Sequence, residues 1–253
     1  MVETQAPVRQ HKQFLFADHL VLDESPTRDF YRELLRGLAH KNNNVLAVVQ
    51  GFSSLILMDQ GLDEDLVDSV KQMRNSAQSS SRLSERILTA GGVARVSAQP
   101  LQLNGFFSLL EGRLQEMCDA SGATMSLRLQ PEMGEVMADS SRLKEMIYEL
   151  VTNAAEAAGD SSDGHVEIEL GDAAFVGMED DSRLHLLIRN NGATISEEKL
   201  PQVFGPFFTT KGSRHFGVGL TSAGVVAGQM KMRLGIASQR DETTAWLAMP
   251  IHG

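Results

Sequence analysis

The chain has 253 residues, 42% of them hydrophobic and 22% charged, which is enough apolar material for a sizeable core and suits two modest domains better than one large one. A formal net charge of -10, with no dense Lys/Arg cluster, excludes a protein that grips a phosphate backbone, so nucleic acid is not an expected partner. Met1 to Leu22 is interrupted by Arg9-Gln10-His11-Lys12-Gln13 and no later run approaches membrane-spanning length, so neither a signal peptide nor membrane insertion is expected, and a cytoplasmic location follows.

Residues 1–24 have no sustained period and are expected to form an arm. At Ser25-Pro26 a serine can cap a helix whose first turn accepts proline. Leu35, Leu38, Asn42, Val45, Val49, Phe52 and Ile56 then recur at 3-4 spacing and predict a bundle helix with its seam along those positions. Gly61 breaks the pattern, and Asp63 can cap a second helix with Leu66, Val70, Met73, Ala77, Ser80, Ser84 and Ile87 in the same spacing, ended by Gly91-Gly92. Residues 25–95 thus read as an antiparallel hairpin. Leu46, Leu55, Leu83 and Leu88 lie beside the seam, so two hairpins are expected to pair as a four-helix homodimer.

After a linker around Val93 to Pro100 the period changes. Strand-like runs at Thr124–Leu129, Val166–Leu170, Leu184–Ile188 and Thr244–Met249 alternate with helical segments at Phe106–Ala120, Ser140–Ala158 and Leu220–Gln229, predicting a mixed sheet covered by helices over residues 96–253. The single cysteine, Cys118, excludes an internal disulfide and falls in an apolar-periodic stretch, where a buried small side chain is expected.

On the first helix, His40 faces away from the expected seam and Asn44 follows one turn later on the same face. A solvent-facing imidazole with a near-neutral pKa offers an unprotonated nitrogen that a second protein can reach, although taken alone it is equally an ordinary surface histidine. In the second domain, Glu149 and Asn153 stand four apart on one helix face, hard oxygen ligands of the kind Mg²⁺ accepts alongside phosphates and water. Gly217 and Gly219 precede a helix, where glycine lets the backbone approach an anion at the free N–H groups.

Together these segments resemble the two-component histidine kinases. Leu38-Ala39-His40-Lys41-Asn42-Asn43-Asn44-Val45-Leu46 is similar to their H-box; Glu149-Leu150-Val151-Thr152-Asn153-Ala154-Ala155-Glu156-Ala157 stands as the N-box; Phe204-Gly205-Pro206-Phe207-Phe208-Thr209-Thr210-Lys211 resembles the F-box, and Gly217-Val218-Gly219-Leu220-Thr221 the second glycine box. The resemblance covers about residues 28 to 250. It implies an α+β fold: a two-helix hairpin dimerising into a four-helix bundle, followed by an α/β-sandwich ATP-binding domain of the Bergerat, GHKL type. It also implies ATP with Mg²⁺ as cofactors, held through Glu149, Asn153, Asn190, Gly192, Lys211, Gly217, Gly219, Leu220 and Thr221, with Glu149 and Asn153 on the metal. His40 would carry the phosphoryl group, with Lys41 and Asn44 beside it, and hand it to a response-regulator receiver domain. With no sensor domain in the chain, the signal is expected from a separate sensor or upstream protein, or through the N-terminal arm.

Several positions depart from the family pattern. Lys41 stands where the commonest families have an acidic general base, and Arg189-Asn190-Asn191-Gly192-Ala193-Thr194-Ile195 replaces Asp-x-Gly-x-Gly, with Asn190 at the adenine-recognising aspartate. An amide oxygen still accepts the adenine amino proton, more weakly than a carboxylate. His215-Phe216 places bulk in the loop over the phosphates. Two further readings therefore keep the fold: an ATP-independent histidine phosphotransferase or response-regulator phosphatase, for which Asn44 would orient a water, and a non-catalytic scaffold that binds a response regulator.

Overall fold

The computed structural model describes residues 13–17, 22–59, 61–131, 134–159, 161–172, 183–211, 215–239 and 241–252. Helix α1 spans Pro26–Ile56; Ser25 is extended, and its hydroxyl oxygen accepts the Arg28 N–H at 3.2 Å, satisfying one of the free donors of the first turn. Helix α2, Glu64–Ala90, is capped in the same way by Asp63, whose carboxylate accepts the Leu66 N–H at 3.0 Å. It stops at Gly91-Gly92, where Gly92 takes φ 68°. The two helices pack antiparallel as expected, but the seam is displaced from the stripe read in the sequence.

Ala39 and Ser53 are the buried residues of α1, with Leu35, Leu46 and Val49 half-buried beside them, and they meet Val70, Ala77 and Ser84 of α2. Leu38, Val45 and Phe52 were expected in the seam and are instead 64%, 62% and 63% exposed; Ile56, Leu66 and Met73 also face out. The physical reason is that α1 is apolar on two adjacent stripes, so a 3-4 count passes through both, and small residues set the close approach of the pair. The Asn42 side-chain N–H donates to Ser84 Oγ at 2.7 Å, and a Cβ on Gly91 would touch the Leu35 side chain. Both contacts sum to the same antiparallel register, which puts position 40 of α1 level with position 86 of α2.

Beyond the hairpin the order is β2 (Gln99–Gln102), α3 (Leu103–Ala120), β3 (Thr124–Leu129), β4 (Glu135–Ala138), α4 (Ser140–Ala158), β5 (His165–Gly171), β6 (Arg183–Asn190), a 3₁₀ turn at Leu200–Gln202, α5 (Gly219–Gln229), β7 (Arg233–Gln239) and β8 (Glu242–His252). An earlier strand, β1 (Gln13–Leu15), lies at the sheet edge, giving the order β1-β7-β8-β6-β5-β3, while β4 pairs with the end of β8 and with β2. All pairs are antiparallel except β3 with β5, which are joined through α4. The arm expected over residues 1–24 is thus structured at 13–15, because β7 offers an unpaired edge on which Gln13, Phe14 and Leu15 register with Ala237, Ile236 and Gly235. Phe14 then stacks on Phe204 and Phe16 meets the same ring edge-on, and Gly224 leaves room for the Phe16 ring. The remaining arm positions, 1–12 and 18–21, lie outside the described residues.

Strand alternation sorts the core. Leu186, Ile188, Leu234, Ile236, Leu247 and Met249 point to the face covered by α3, α4 and α5, whereas Leu187, Ala237, Trp246 and Ala248 form a smaller cluster on the opposite face. Cys118 sits in the main core with its thiol pushed up to about 11, first by burial and then by the Asp119 carboxylate, so it is an unreactive packing residue. No described helix is long and apolar enough to cross a membrane.

On the opposite face the Trp246 indole lies against Gly235, and a Cβ there would stand 2.3 Å from the ring. A rigid indole with no exposed surface cannot yield cheaply. Gly235→Ala is expected to lower stability by about 1–3 kcal/mol, seen as a lower denaturation midpoint at unchanged m-value.

Candidate functional site

The site begins at the cap of α4. The Asp139 carboxylate accepts the Ser141 and Arg142 N–H groups, each at 3.1 Å, and through its other oxygen the N–H of Ser97, which lies between α2 and β2, at 3.0 Å. Burial pushes this carboxyl up, but the three backbone donors and Arg142 outweigh it and hold the group below its ordinary value of 3.8. The stabilisation is therefore complete above the ordinary carboxyl value and lost as pH falls through the lower folded value. Asp139→Ala is expected to cost about 1 kcal/mol at neutral pH. That loss should shrink in acid, while Asp139→Asn retains most of the cap in thermal melts.

From this cap, α4 directs Glu149, Asn153 and Glu156 along one face into a cavity of about 560 Å³, a volume suited to a small-molecule ligand. Its apolar wall comes from Leu150, Ala154, Ile188, Ile236 and Ala245. At the end of β6, Asn190 faces the same space, is only 4% exposed, and its amide nitrogen has no hydrogen-bond partner. An orphaned buried donor costs roughly 1–3 kcal/mol, which a ligand acceptor would recover.

The opposite rim is built by two left-handed residues. Phe207 has φ 65°, a strained conformation for a bulky side chain, and Gly217 has φ 65° against it. A Cβ on Gly217 would stand 2.6 Å from both the Phe207 carbonyl carbon and the Phe208 oxygen, so only glycine fits there. Gly219 and Leu220 then open α5, whose N-cap residue Val218 supplies no side-chain cap, leaving the first N–H groups directed at the cavity end.

Charged side chains cross this end. Lys211 Nζ donates to Asn153 Oδ1 at 3.3 Å and is ion-paired with Glu156, to which His215 Nε2 also comes within 3.8 Å. Glu149 is ion-paired with Arg86 of α2; burial raises its carboxyl pKa, and Arg86 opposes that rise.

Of the residues singled out in the sequence, Glu149, Asn153, Asn190, Lys211, Gly217, Gly219 and Leu220 therefore line one cavity. Gly192 and Thr221 do not. Gly192 lies against the end of α4, where a Cβ would stand 1.8 Å from the Ala157 oxygen, and the buried Thr221 hydroxyl donates to the Phe204 carbonyl at 2.9 Å. His40, Lys41 and Asn44 are exposed on α1 and outside the cavity wall.

Residues 138–253 match the family described as histidine kinase-, DNA gyrase B-, and HSP90-like ATPase. The chain is 23% identical over 250 residues to the sensor histidine kinase ZraS of Escherichia coli (strain K12), covering 95% of this chain and 51% of that protein. It is 25% identical over 224 residues to the sensory histidine kinase/phosphatase NtrB of Rhizobium leguminosarum bv. phaseoli, covering 86% and 57% respectively. The chain is thus similar to two-component histidine kinases along most of its length. It spans about half the length of these curated relatives. Among solved structures, full-length ShkA in complex with AMPPNP superposes with a TM-score of 0.72 at 19% identity over 87% of this chain and 46% of that one, a likeness of fold. The Acinetobacter baumannii histidine kinase AdeS superposes at 0.56 and 17% identity, over 83% of this chain and 97% of that one.

The cavity of this histidine kinase relative fits a Mg²⁺-nucleotide. The apolar wall suits a purine, and the Asn190 amide can complement its edge with one donor and one acceptor. Among the described residues no group of three His, Cys, Asp or Glu side chains could hold a metal, so Glu149 and Asn153 would supply Mg²⁺ with part of its oxygen shell and phosphates and water the rest. That division is the usual one for Mg²⁺. Arg82 and Arg86, which also line the cavity, were not anticipated. Their i, i+4 spacing is visible in the sequence, but which face of α2 meets the second domain depends on tertiary packing.

Proposed function

We propose that the chain is the phosphoryl-transfer core of a two-component system, a protein-histidine kinase in which residues 25–95 dimerise and carry the phosphoryl group and residues 96–253 bind Mg-ATP. In this reading the lone pair of a His40 ring nitrogen attacks the γ-phosphorus; the bond to the β–γ bridging oxygen breaks, and ADP departs with that electron pair. A receiver-domain aspartate of a response regulator then takes the phosphoryl group. Mg²⁺, when bound, supplies neutralisation of phosphate charge. The chain's own contribution is positional: the Gly217 turn and the α5 N-terminus present N–H donors, and Asn190 and the apolar wall orient the base.

The observation that carries this reading is the buried, unpartnered Asn190 amide in the same nucleotide-sized cavity as the Glu149-Asn153 pair and the Gly217 turn. The decisive experiment incubates the protein with γ-labelled ATP and Mg²⁺ beside His40→Ala. Acid-labile label that disappears in the variant is expected; absence of label together with absence of nucleotide binding by calorimetry overturns the reading.

A second reading, ATP-independent phosphotransfer or phosphatase action, is favoured by one feature: Lys211 and Arg86 are already paired with Glu156 and Glu149 inside the cavity. It predicts that an aspartyl-phosphorylated receiver domain labels His40 although ATP does not. A scaffold predicts no effect of His40→Ala on function.

A further inference from the structure

The cavity is not made by the second domain alone. Ser79, Arg82, Leu83 and Arg86 of α2 close one side of it, and backbone anchors fix that helix in place. The Ser222 hydroxyl of α5 donates to the Arg86 carbonyl at 3.0 Å, and the Gln229 amide donates to the Ala94 carbonyl at 3.0 Å. The Arg86 guanidinium therefore projects from a clamped position rather than from a free surface turn.

Its partner occupies an informative place. One oxygen of Glu149 is ion-paired with Arg86, while the other lies so close to the first residue of α5 that a Cβ on Gly219 would stand 2.4 Å from it. A carboxylate thus sits between a guanidinium and the N-terminal end of an eleven-residue helix without a side-chain cap. This is the environment that oxyanions seek, and a guanidinium matches phosphate as well as carboxylate with paired donors. The buried and unpartnered Asn190 amide in the same cavity independently calls for a ligand.

We propose that Arg86, a residue of the hairpin, is a phosphate ligand of the bound nucleotide, and that the Glu149 carboxylate occupies that anion position until nucleotide arrives. The inference rests on the nucleotide-binding reading above and deepens it. Nucleotide entry exchanges one anion for another at Arg86: the guanidinium leaves Glu149 for phosphate oxygens, and Glu149 is freed on the side of Asn153. Because position 40 of α1 is level with Arg86, this exchange reports nucleotide occupancy to the hairpin at the height of His40.

Calorimetry with adenosine, ADP and AMPPNP, each with Mg²⁺, tests the assignment on the full chain and on Arg86→Ala, Arg86→Lys and Glu149→Gln. Arg86→Ala is expected to weaken AMPPNP by about tenfold or more while leaving adenosine unchanged. Arg86→Lys should fall between wild type and Arg86→Ala. In EDTA, where Glu149 has no metal to serve, Glu149→Gln is expected to bind AMPPNP more tightly than wild type. Equal weakening of adenosine and AMPPNP in Arg86→Ala, or no weakening of either, overturns the proposal while leaving nucleotide binding by the wild type intact. Wild type that binds none of the three overturns this proposal together with the kinase reading.

Discussion

Gly217→Ala is expected to remove most nucleotide binding while leaving the chain folded. An alanine at φ 65° costs about 1–2 kcal/mol from the left-handed backbone alone. Here its Cβ would also meet backbone atoms of Phe207 and Phe208 at 2.6 Å, and backbone cannot rotate aside as a side chain can. The turn must open, carrying the first N–H groups of α5 away from the cavity end. A loss of about 100-fold in AMPPNP affinity follows if two such donors are displaced, at roughly 1–1.5 kcal/mol each. Gly122→Ala is the matched control: it has φ 79° with nothing within 4 Å of an added Cβ, and it lies in the turn after α3. It should lose about 1 kcal/mol of stability and no affinity. If both variants bind nucleotide as wild type does, the Gly217 turn does not cradle phosphate.

The elements best read from sequence are those with local causes. Helix α4 runs from Ser140 to Ala158, the bounds expected from the sequence, with Asp139 found as its cap, and β3 spans Thr124–Leu129 as its run predicts. Strand β7 escaped notice because Gly235 interrupts it, and the reason for that glycine is an indole from β8, eleven residues away in sequence. Strand β1 has three residues and exists because β7 has an open edge, a fact no local pattern contains.

The site divides along the same line. Gly217 and Gly219 left a mark in the sequence because a backbone demand admits one residue type. Gly192 left the same mark for a different demand, the close packing of its loop on α4, so a glycine inside a motif does not by itself say which neighbour required it. Arg86 left none, since any exposed arginine on α2 looks alike until the packing of α2 on α5 turns it into the cavity. Composite sites are legible only as far as each component's own chain segment dictates it.

The displaced seam of the hairpin leads to the second large effect. Tyr31, Leu34, Leu38, Lys41, Val45, Val48, Phe52 and Leu55 follow one another at alternating 3- and 4-residue steps along α1, and every apolar member is exposed. Such a heptad stripe is the pattern by which a second helix pair is recruited, and Lys41, beside His40, is its one charged position. Phe52, 63% exposed, lies toward the end of α1 far from the cavity, so a change there separates assembly from nucleotide binding. Phe52→Asp places two carboxylates in a dimer seam and removes two aromatic side chains, each worth about 1.5–3 kcal/mol when buried. The dimer dissociation constant is expected to rise by about 100-fold or more, read by sedimentation equilibrium, with helicity by circular dichroism preserved. Lys41→Leu should act in the opposite direction by completing the stripe. A wild type that sediments as a monomer at high concentration, or a Phe52→Asp variant that remains as dimeric as wild type, would place the pairing surface elsewhere on the hairpin.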